Sequence, residues 1–186
     1  MAFTFEPLEI PDVVLIRPEV FSDERGFLQV HYRSSDFHNA GIMMPFVQDS
    51  RTVSHRGVLR GLHYQKHPAS QGKLVRVVRG EIFDVALDVR KGSPTYGKWV
   101  SSLLNGRNGH LIWIPPGFAH GFVALADGTE VEYKATSEYA PRHQAGVRWD
   151  DPDLAIRWPV KKPLLSQKDR ELPALSEVDT SCEQGG

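Results

Sequence analysis

Gly109-His-Leu-Ile-Trp-Ile-Pro115-Pro-Gly117-Phe-Ala-His120 reads as a strand, a tight Pro-Gly turn and a return strand whose first inward residue is His120. Short apolar or alternating segments of the same kind recur on both sides of it: Val13 to Ile16, Phe27 to Tyr32, Val58 to Tyr64, Leu74 to Val78, Ile82 to Val89, Trp99 to Leu103, Leu111 to Ile114, Phe122 to Leu125 and Val131 to Thr136. Gly, Pro, Asn and Asp separate them, with turn signals at Arg79-Gly80, Asn105-Gly106, Asn108-Gly109 and Asp127-Gly128. Strands of this size and spacing predict an all-β sandwich or barrel. Helix signals are confined to two short stretches. Ser34 to Ala40 has Ser34 or Ser35 as a cap and Gly41 as a stop, and Leu165 to Pro173 has Ser166 as its cap.

At 186 residues the chain has room for one domain with a full hydrophobic core. The expectation is a single domain over residues 1–175 and a flexible polar tail over 176–186, which carries the one cysteine, Cys182. The 22 Lys and Arg nearly cancel the 23 Asp and Glu, so no global field points to nucleic acid or an anionic membrane, and an anionic ligand must be held by a few local cations. No apolar run is long enough to span a bilayer, and Met1-Ala-Phe-Thr-Phe-Glu lacks the charged-then-apolar order of a signal peptide. A cytoplasmic enzyme is expected.

The stretch ending at His120 fits the second signature of cupin barrels, a Gly, five residues, Pro-x-Gly, two residues and His. The first cupin signature, Gly, spacer, His-x-His, spacer, Glu, six residues and Gly, is altered. Counting back from Gly80 puts Lys73 at the glutamate position, and the histidine pair survives only as His63-Tyr64-Gln65 in Gly57-Val-Leu-Arg-Gly-Leu-His63-Tyr-Gln65. An ammonium in place of a carboxylate removes an anionic ligand and puts positive charge where a divalent cation would sit. The expectation is therefore a jelly-roll barrel with no metal and no cofactor. A buried base beside a buried cation is equipment for taking a proton from carbon next to a carbonyl and holding the enolate that results. For His120 the competing reading is a satisfied core histidine.

Period-two alternation along Val131-Glu-Tyr133-Lys-Ala-Thr-Ser-Glu-Tyr139 puts Tyr133 and Tyr139 on one face, to deliver a proton, stack on a flat ring or simply fill the core. Arg25 precedes a turn into a strand. Arg60 lies among apolar residues on the strand of His63, where a buried guanidinium requires an anionic partner such as a pyrophosphate. Strict alternation would separate Arg60 from His63, so Gly61 must allow a bulge if both serve one site.

Six colinear motifs, Phe21-Ser-Asp-Glu-Arg-Gly-Phe27, Gly57 to Gln65, Gly80 to Asp88, Ser93-Pro-Thr-Tyr-Gly97, Ile114 to Phe122 and Tyr133-Lys-Ala-Thr136, closely resemble the dTDP-4-dehydrorhamnose 3,5-epimerase family. The similarity extends from about residue 10 to Pro173. It implies a metal-free cupin, usually a homodimer, that inverts centres of a dTDP-4-keto-6-deoxyhexose. By matching positions, the resemblance makes His63 the base oriented by Asp169, Lys73 the group that stabilises the enolate oxygen, and Tyr133 the acid on the opposite face. It assigns Arg25 and Arg60 to the diphosphate, Gln48 to a polar contact, Tyr139 to stacking on thymine and His120 to the region of the C4 oxygen. Arg25 and Phe27 would reach the neighbouring subunit's site, and Lys168 is a further substrate contact. Asp84 and Asp88 are alternative partners for a histidine. Val30, Ser50 and Gln144 stand where relatives often carry Glu, Asn and Glu, which bears on the nucleotide and on whether one or two centres invert; Ser50 and Gln144 are counted with the substrate contacts. The competing functions are a single-centre epimerase, a non-catalytic sugar-nucleotide-binding cupin, a metal-dependent cupin enzyme and a ketoisomerase.

Overall fold

The Pro-Gly turn joins two sheets rather than two neighbours in one. In a computed structural model describing residues 2–178, Gly117 takes φ +84° between strands β10 and β11, and these strands do not pair with each other. The strands in chain order are β1 (Phe3–Pro7), β2 (Val14–Pro18), β3 (Val20–Asp23), β4 (Gly26–Gln29), β5 (Gln48–Ser54), β6 (Leu59–Gln65), β7 (Lys73–Arg79), β8 (Glu81–Asp88), β9 (Trp99–Asn105), β10 (Leu111–Ile114), β11 (Phe118–Ala124), β12 (Thr129–Ala135) and β13 (Gln144–Gly146). Two short helices, α1 (Ser34–Asn39) and α2 (Gln167–Arg170), complete the set. One sheet runs β1-β2-β10-β7-β12-β5 and the other β13-β6-β11-β8-β9, every named pairing being antiparallel. This is the expected jelly-roll cupin fold.

Alternation explains the core. Val75, Val77, Ile112, Ile114 and Val131 point inward from the first sheet to meet Ile82, Ala86, Val100, Leu104, Phe118 and Phe122 of the second. Burying each large aliphatic side chain contributes roughly 1.5–3 kcal/mol, so this apolar layer fixes the register of both sheets. The outer face of the first sheet is covered by α1. Its Phe37 is fully buried and meets Phe3, Phe5 and Tyr32 edge-on. The residue capping α1 is Arg33, not Ser34 or Ser35, and no side-chain oxygen closes the helix start; instead the Arg33 guanidinium reaches forward to Asp36.

At Gly61 the two halves of the β6–β11 ladder meet out of step. His63 faces His120, yet Arg60 already faces Phe122, so β6 carries one residue more than β11 between these pairs. That is the bulge the sequence required. Gly61 sits at φ +123°, and a Cβ there would lie 2.5 Å from the Gly121 Cα and 2.7 Å from the His120 carbonyl oxygen. Neither backbone atom can yield as a flexible side chain would. Gly61→Ala is expected to lower the unfolding free energy by roughly 2–6 kcal/mol, combining backbone strain with overpacking, as measured by denaturant unfolding.

Beyond α2, Leu175–Glu177 forms a 3-10 turn held by Asp151, which accepts the Leu175 N–H at 2.7 Å, and Val178 packs into the cluster of Leu62, Tyr64 and Leu87. The packed body therefore extends past residue 175. The rest of the expected tail, residues 179–186 with Cys182, lies outside the described residues. Among the described residues no helix is long and apolar enough to cross a membrane.

Candidate active site

His63 comes from β6, in the second sheet, and its partner arrives from 106 residues away. Ser166 caps α2 as expected, its Oγ accepting the Asp169 N–H at 3.1 Å and donating to Asp169 Oδ2 at 2.9 Å. This cap aims the other carboxylate oxygen at His63 Nε2, 2.5 Å away. A carboxylate only accepts, so the imidazole proton is on Nε2 and the lone pair is on Nδ1. Burial by itself would raise the Asp169 carboxyl. The hydrogen bond and charge of His63, the Ser166 hydroxyl and the charge of Arg60 outweigh it, and Asp169 lies below the usual carboxylate range.

Lys73 and Tyr133 come from the first sheet. Lys73 opens β7, and Tyr133 on β12 is paired with Val75, so both side chains lie on the inward face. The Lys73 ammonium reaches across to the His63 carbonyl oxygen at 3.4 Å. Among the described residues it forms no ion pair within 4 Å, and burial pulls it from 10.5 down to about 8, against the opposing charge of Asp84. Base and acid candidates thus sit on opposite walls of one cleft, with a cation at its floor. The cleft is lined by Gln48, Ser50, His63, Lys73, Tyr133, Tyr139 and Gln144 among others, and its volume of about 380 Å³ is in the range of small-molecule sites.

A chain of amides builds the rim. Gln144 Oε1 accepts from the Tyr139 hydroxyl at 2.6 Å and from Lys168 Nζ at 2.5 Å, while Gln48 accepts the Tyr139 backbone N–H and donates to Ser50 Oγ. Tyr139 reaches the cleft by a different route from the one expected. β12 ends at Ala135, so alternation does not carry it; the segment is pinned by Gln65, which accepts the Ala140 N–H and donates to the Ala69 and Glu138 carbonyls, and by Gln71, which donates to Ser137. Sequence reasoning missed Gln65 and Gln71 as supports. No local signal marks them: Gln65 ends β6 between Tyr64 and Lys66, and Gln71 lies outside the strands between Ser70 and Gly72.

Other expected residues fall elsewhere. Arg60 is not a buried guanidinium: the bulge puts it on the face of His63, but there it is exposed and donates to Ser54 Oγ and the Val53 carbonyl. Arg25 and Phe27 lie on the β3–β4 hairpin outside this chain's cleft. The Arg25 side chain is 85% exposed and paired with Asp23, and Phe27 is 69% exposed. His120 is buried under the cleft, directly opposite His63 on the ladder, its Nε2 2.7 Å from Asp84 Oδ2. Asp84 is thus a histidine partner. Asp88 is not, since Arg90, Ser93 and Thr95 occupy it. Val30 packs against the α1 cluster rather than the site. A second groove, on the outer face of the first sheet, is lined by charges that neutralise one another, Arg76 with Glu132 and Lys134 with Asp49. Among the described residues no three His, Cys, Asp or Glu side chains converge as metal ligands.

A family model described as dTDP-4-dehydrorhamnose 3,5-epimerase matches residues 7–177. The dTDP-4-dehydrorhamnose 3,5-epimerase of Pseudomonas aeruginosa is 52% identical over 174 residues, spanning 92% of this chain and 96% of its own. Among solved structures, a dTDP-6-deoxy-D-glucose-3,5-epimerase from Legionella pneumophila in complex with dTDP-4-keto-L-rhamnose superposes with a TM-score of 0.93 at 42% identity, covering 97% and 96% of the two chains. A 3'-monoepimerase from Streptomyces bikiniensis in complex with dTDP-quinovose is similar at a TM-score of 0.86 and 37% identity, covering 91% and 87%.

Proposed function

The chain belongs to the dTDP-4-dehydrorhamnose 3,5-epimerase family, and from that premise we propose how its own residues carry the reaction. The protein is an isomerase that epimerises a dTDP-4-keto-6-deoxyhexose next to its C4 ketone. His63 Nδ1 takes the proton on the adjacent carbon, the C–H pair passes into the enolate, and Asp169 holds the imidazolium that forms. Lys73 carries the developing charge on the C4 oxygen. Tyr133 then gives its hydroxyl proton to the other face of the same carbon, and solvent resets both groups.

The observation that supports this reading is that His63 and Tyr133 line one cleft from opposite sheets, with Lys73 lining it as well and reaching the His63 carbonyl. A single residue that both removed and returned the proton would restore the original centre. Two residues on opposite walls invert it. C3 and C5 both flank C4, so one base and one oxyanion site serve either carbon once the sugar turns. We assign inversion to both centres, since the 3,5-epimerase relative is 52% identical and the monoepimerase 37%.

For the nucleotide, Arg60 and Lys168 stand beside the cleft as cations for the diphosphate, with the Tyr139 ring presented to the base and His120 below the sugar. The β3–β4 hairpin exposes Val20, Phe21, Phe27 and Leu28, and a two-stranded hairpin has little stability alone, so we assign its cover to a second copy of this chain, with Arg25 and Phe27 delivered to that copy's cleft. A charged sugar nucleotide does not cross membranes unaided, which supports a cytoplasmic enzyme.

The test is NMR of dTDP-4-keto-6-deoxyglucose with the protein in heavy water. Deuterium should enter at C3 and C5 with inversion of both, and Tyr133→Phe should still exchange protons while inverting at least about 10-fold more slowly. Exchange at one carbon only would restrict the enzyme to a single centre. A keto group found at C3 would identify a ketoisomerase.

A further inference from the structure

Beneath the cleft lies a second imidazole–carboxylate pair, whose carboxylate, Asp84, has no part in the proton transfers above. Asp84 is fully buried on β8, pointing inward with Ile82 and Ala86, between the cross-strand neighbours Phe122 and Ser102. One oxygen meets His120 Nε2; the other, Oδ1, has no hydrogen-bond partner among the described residues. An ionised carboxylate oxygen left dry and unpartnered is costly, and a nearby cation is what offsets the cost. Lys73 is the cation on this side of the cleft: its ammonium reaches the carbonyl of His63, whose ladder partner is the His120 that Asp84 holds, and the charge of Asp84 opposes the effect of burial on it. Lys73 in turn has three donors and one long bond, to the His63 carbonyl.

We propose that Asp84 is a positioning residue of the site: it anchors His120 with one oxygen and supplies the negative field that keeps the Lys73 ammonium charged and aimed at the C4 oxygen. Without it, the burial that already lowers Lys73 would lose the charge that opposes it, and the ammonium would be held less firmly in its charged form. His63 is already held by Asp169, so the two histidines divide the work: one dyad handles the carbon-bound proton and the other sustains the charge that receives the enolate. The groups facing this arrangement are His120 from β11, His63 from β6 with Asp169 behind it, Tyr133 from β12 and the uncharged Ser102 from β9.

The inference rests on Lys73 being the enolate's cation, and the test separates the two. In Asp84→Asn, the Lys73 titration, read by NMR of 13C-dimethylated lysines with Lys73→Arg as the assignment control, should fall by about one pH unit or more, and the alkaline limb of kcat/KM should fall with it. Asp84→Glu should restore both in large part, and His120→Gln, which keeps the carboxylate, should not lower the titration. An unmoved Lys73 in Asp84→Asn overturns the role of Asp84. A Lys73 titration that moves while the rate profile stays put instead overturns Lys73 as the enolate's cation and leaves the Asp84 pairing intact. Should Asp84→Asn fail to fold, His120→Gln and Asp84→Glu decide it: a fall in the Lys73 titration in His120→Gln, or its loss in Asp84→Glu, overturns the proposal.

Discussion

His63→Ala is expected to lower kcat by about 10²–10⁴-fold and to abolish deuterium entry at C3 and C5 together, because in the proposed mechanism one imidazole serves as base toward both carbons. The loss belongs to chemistry and not to folding. His63 is only partly buried, and Asp169 keeps its hydrogen bond with Ser166 and its place in the cap of α2 when the ring is removed. The stability change should therefore be modest, and substrate affinity should hold, since Arg60, Lys168 and Tyr139 are untouched. Exogenous imidazole diffusing into the vacated space should recover part of the exchange rate, as expected when a proton acceptor rather than a packing group was lost. A variant that still exchanges at C3 but not at C5 would mean that two different bases serve the two carbons.

How much of this was legible before any coordinates follows the range of the interactions. Strand order along the chain and the pairing of His63 with Lys73 rest on local spacing: a glycine, an alternating run and a Pro-Gly turn. The bulge at Gly61 was likewise forced by the demand that Arg60 and His63 serve one site, although Arg60 then emerged exposed, which alternation cannot foresee. Asp169 lies 106 residues from His63, and only resemblance pairs them; what the sequence does show is Ser166 as a cap, and that cap is what aims the carboxylate. Tyr139 was placed on a strand that stops at Ala135, because the two glutamines that pin the following segment act through backbone carbonyls with no periodic signature. β1, β3, β5 and β13 were missed; β1 alternates Phe-Thr-Phe-Glu, but its Pro7 end and short length hide it among turns. The fully buried Asp84 had a visible signal, an acid in the apolar run Ile82 to Val89 on the inward phase of that run.

Lys73→Met should move activity and stability in opposite directions. Burial brings the folded-state ammonium from 10.5 to about 8, so the unfolded chain binds this proton more tightly than the folded one. Below pH 8 the folded protein carries the charge at a cost of roughly 3 kcal/mol; the cost is relieved as pH rises from about 8 to 10.5, and stability from this group rises with pH across that window. Met fills nearly the same space without charge and should raise the unfolding free energy at pH 7 by about 1–3 kcal/mol, as read by denaturant titration. Turnover goes the other way. With no cation at the C4 oxygen, kcat should fall by about 10²–10³-fold with little change in KM, because the interaction strengthens only as charge develops. In the unaltered enzyme the same group predicts that kcat/KM declines above about pH 8, where the protein is becoming more stable through this residue. A purely structural lysine would give the reverse pattern, a less stable variant with an unaltered pH profile. An active-site cation held in a dry floor at a stability cost fits the proposed enolate, since the charge must already be in place and poorly solvated when the proton leaves carbon.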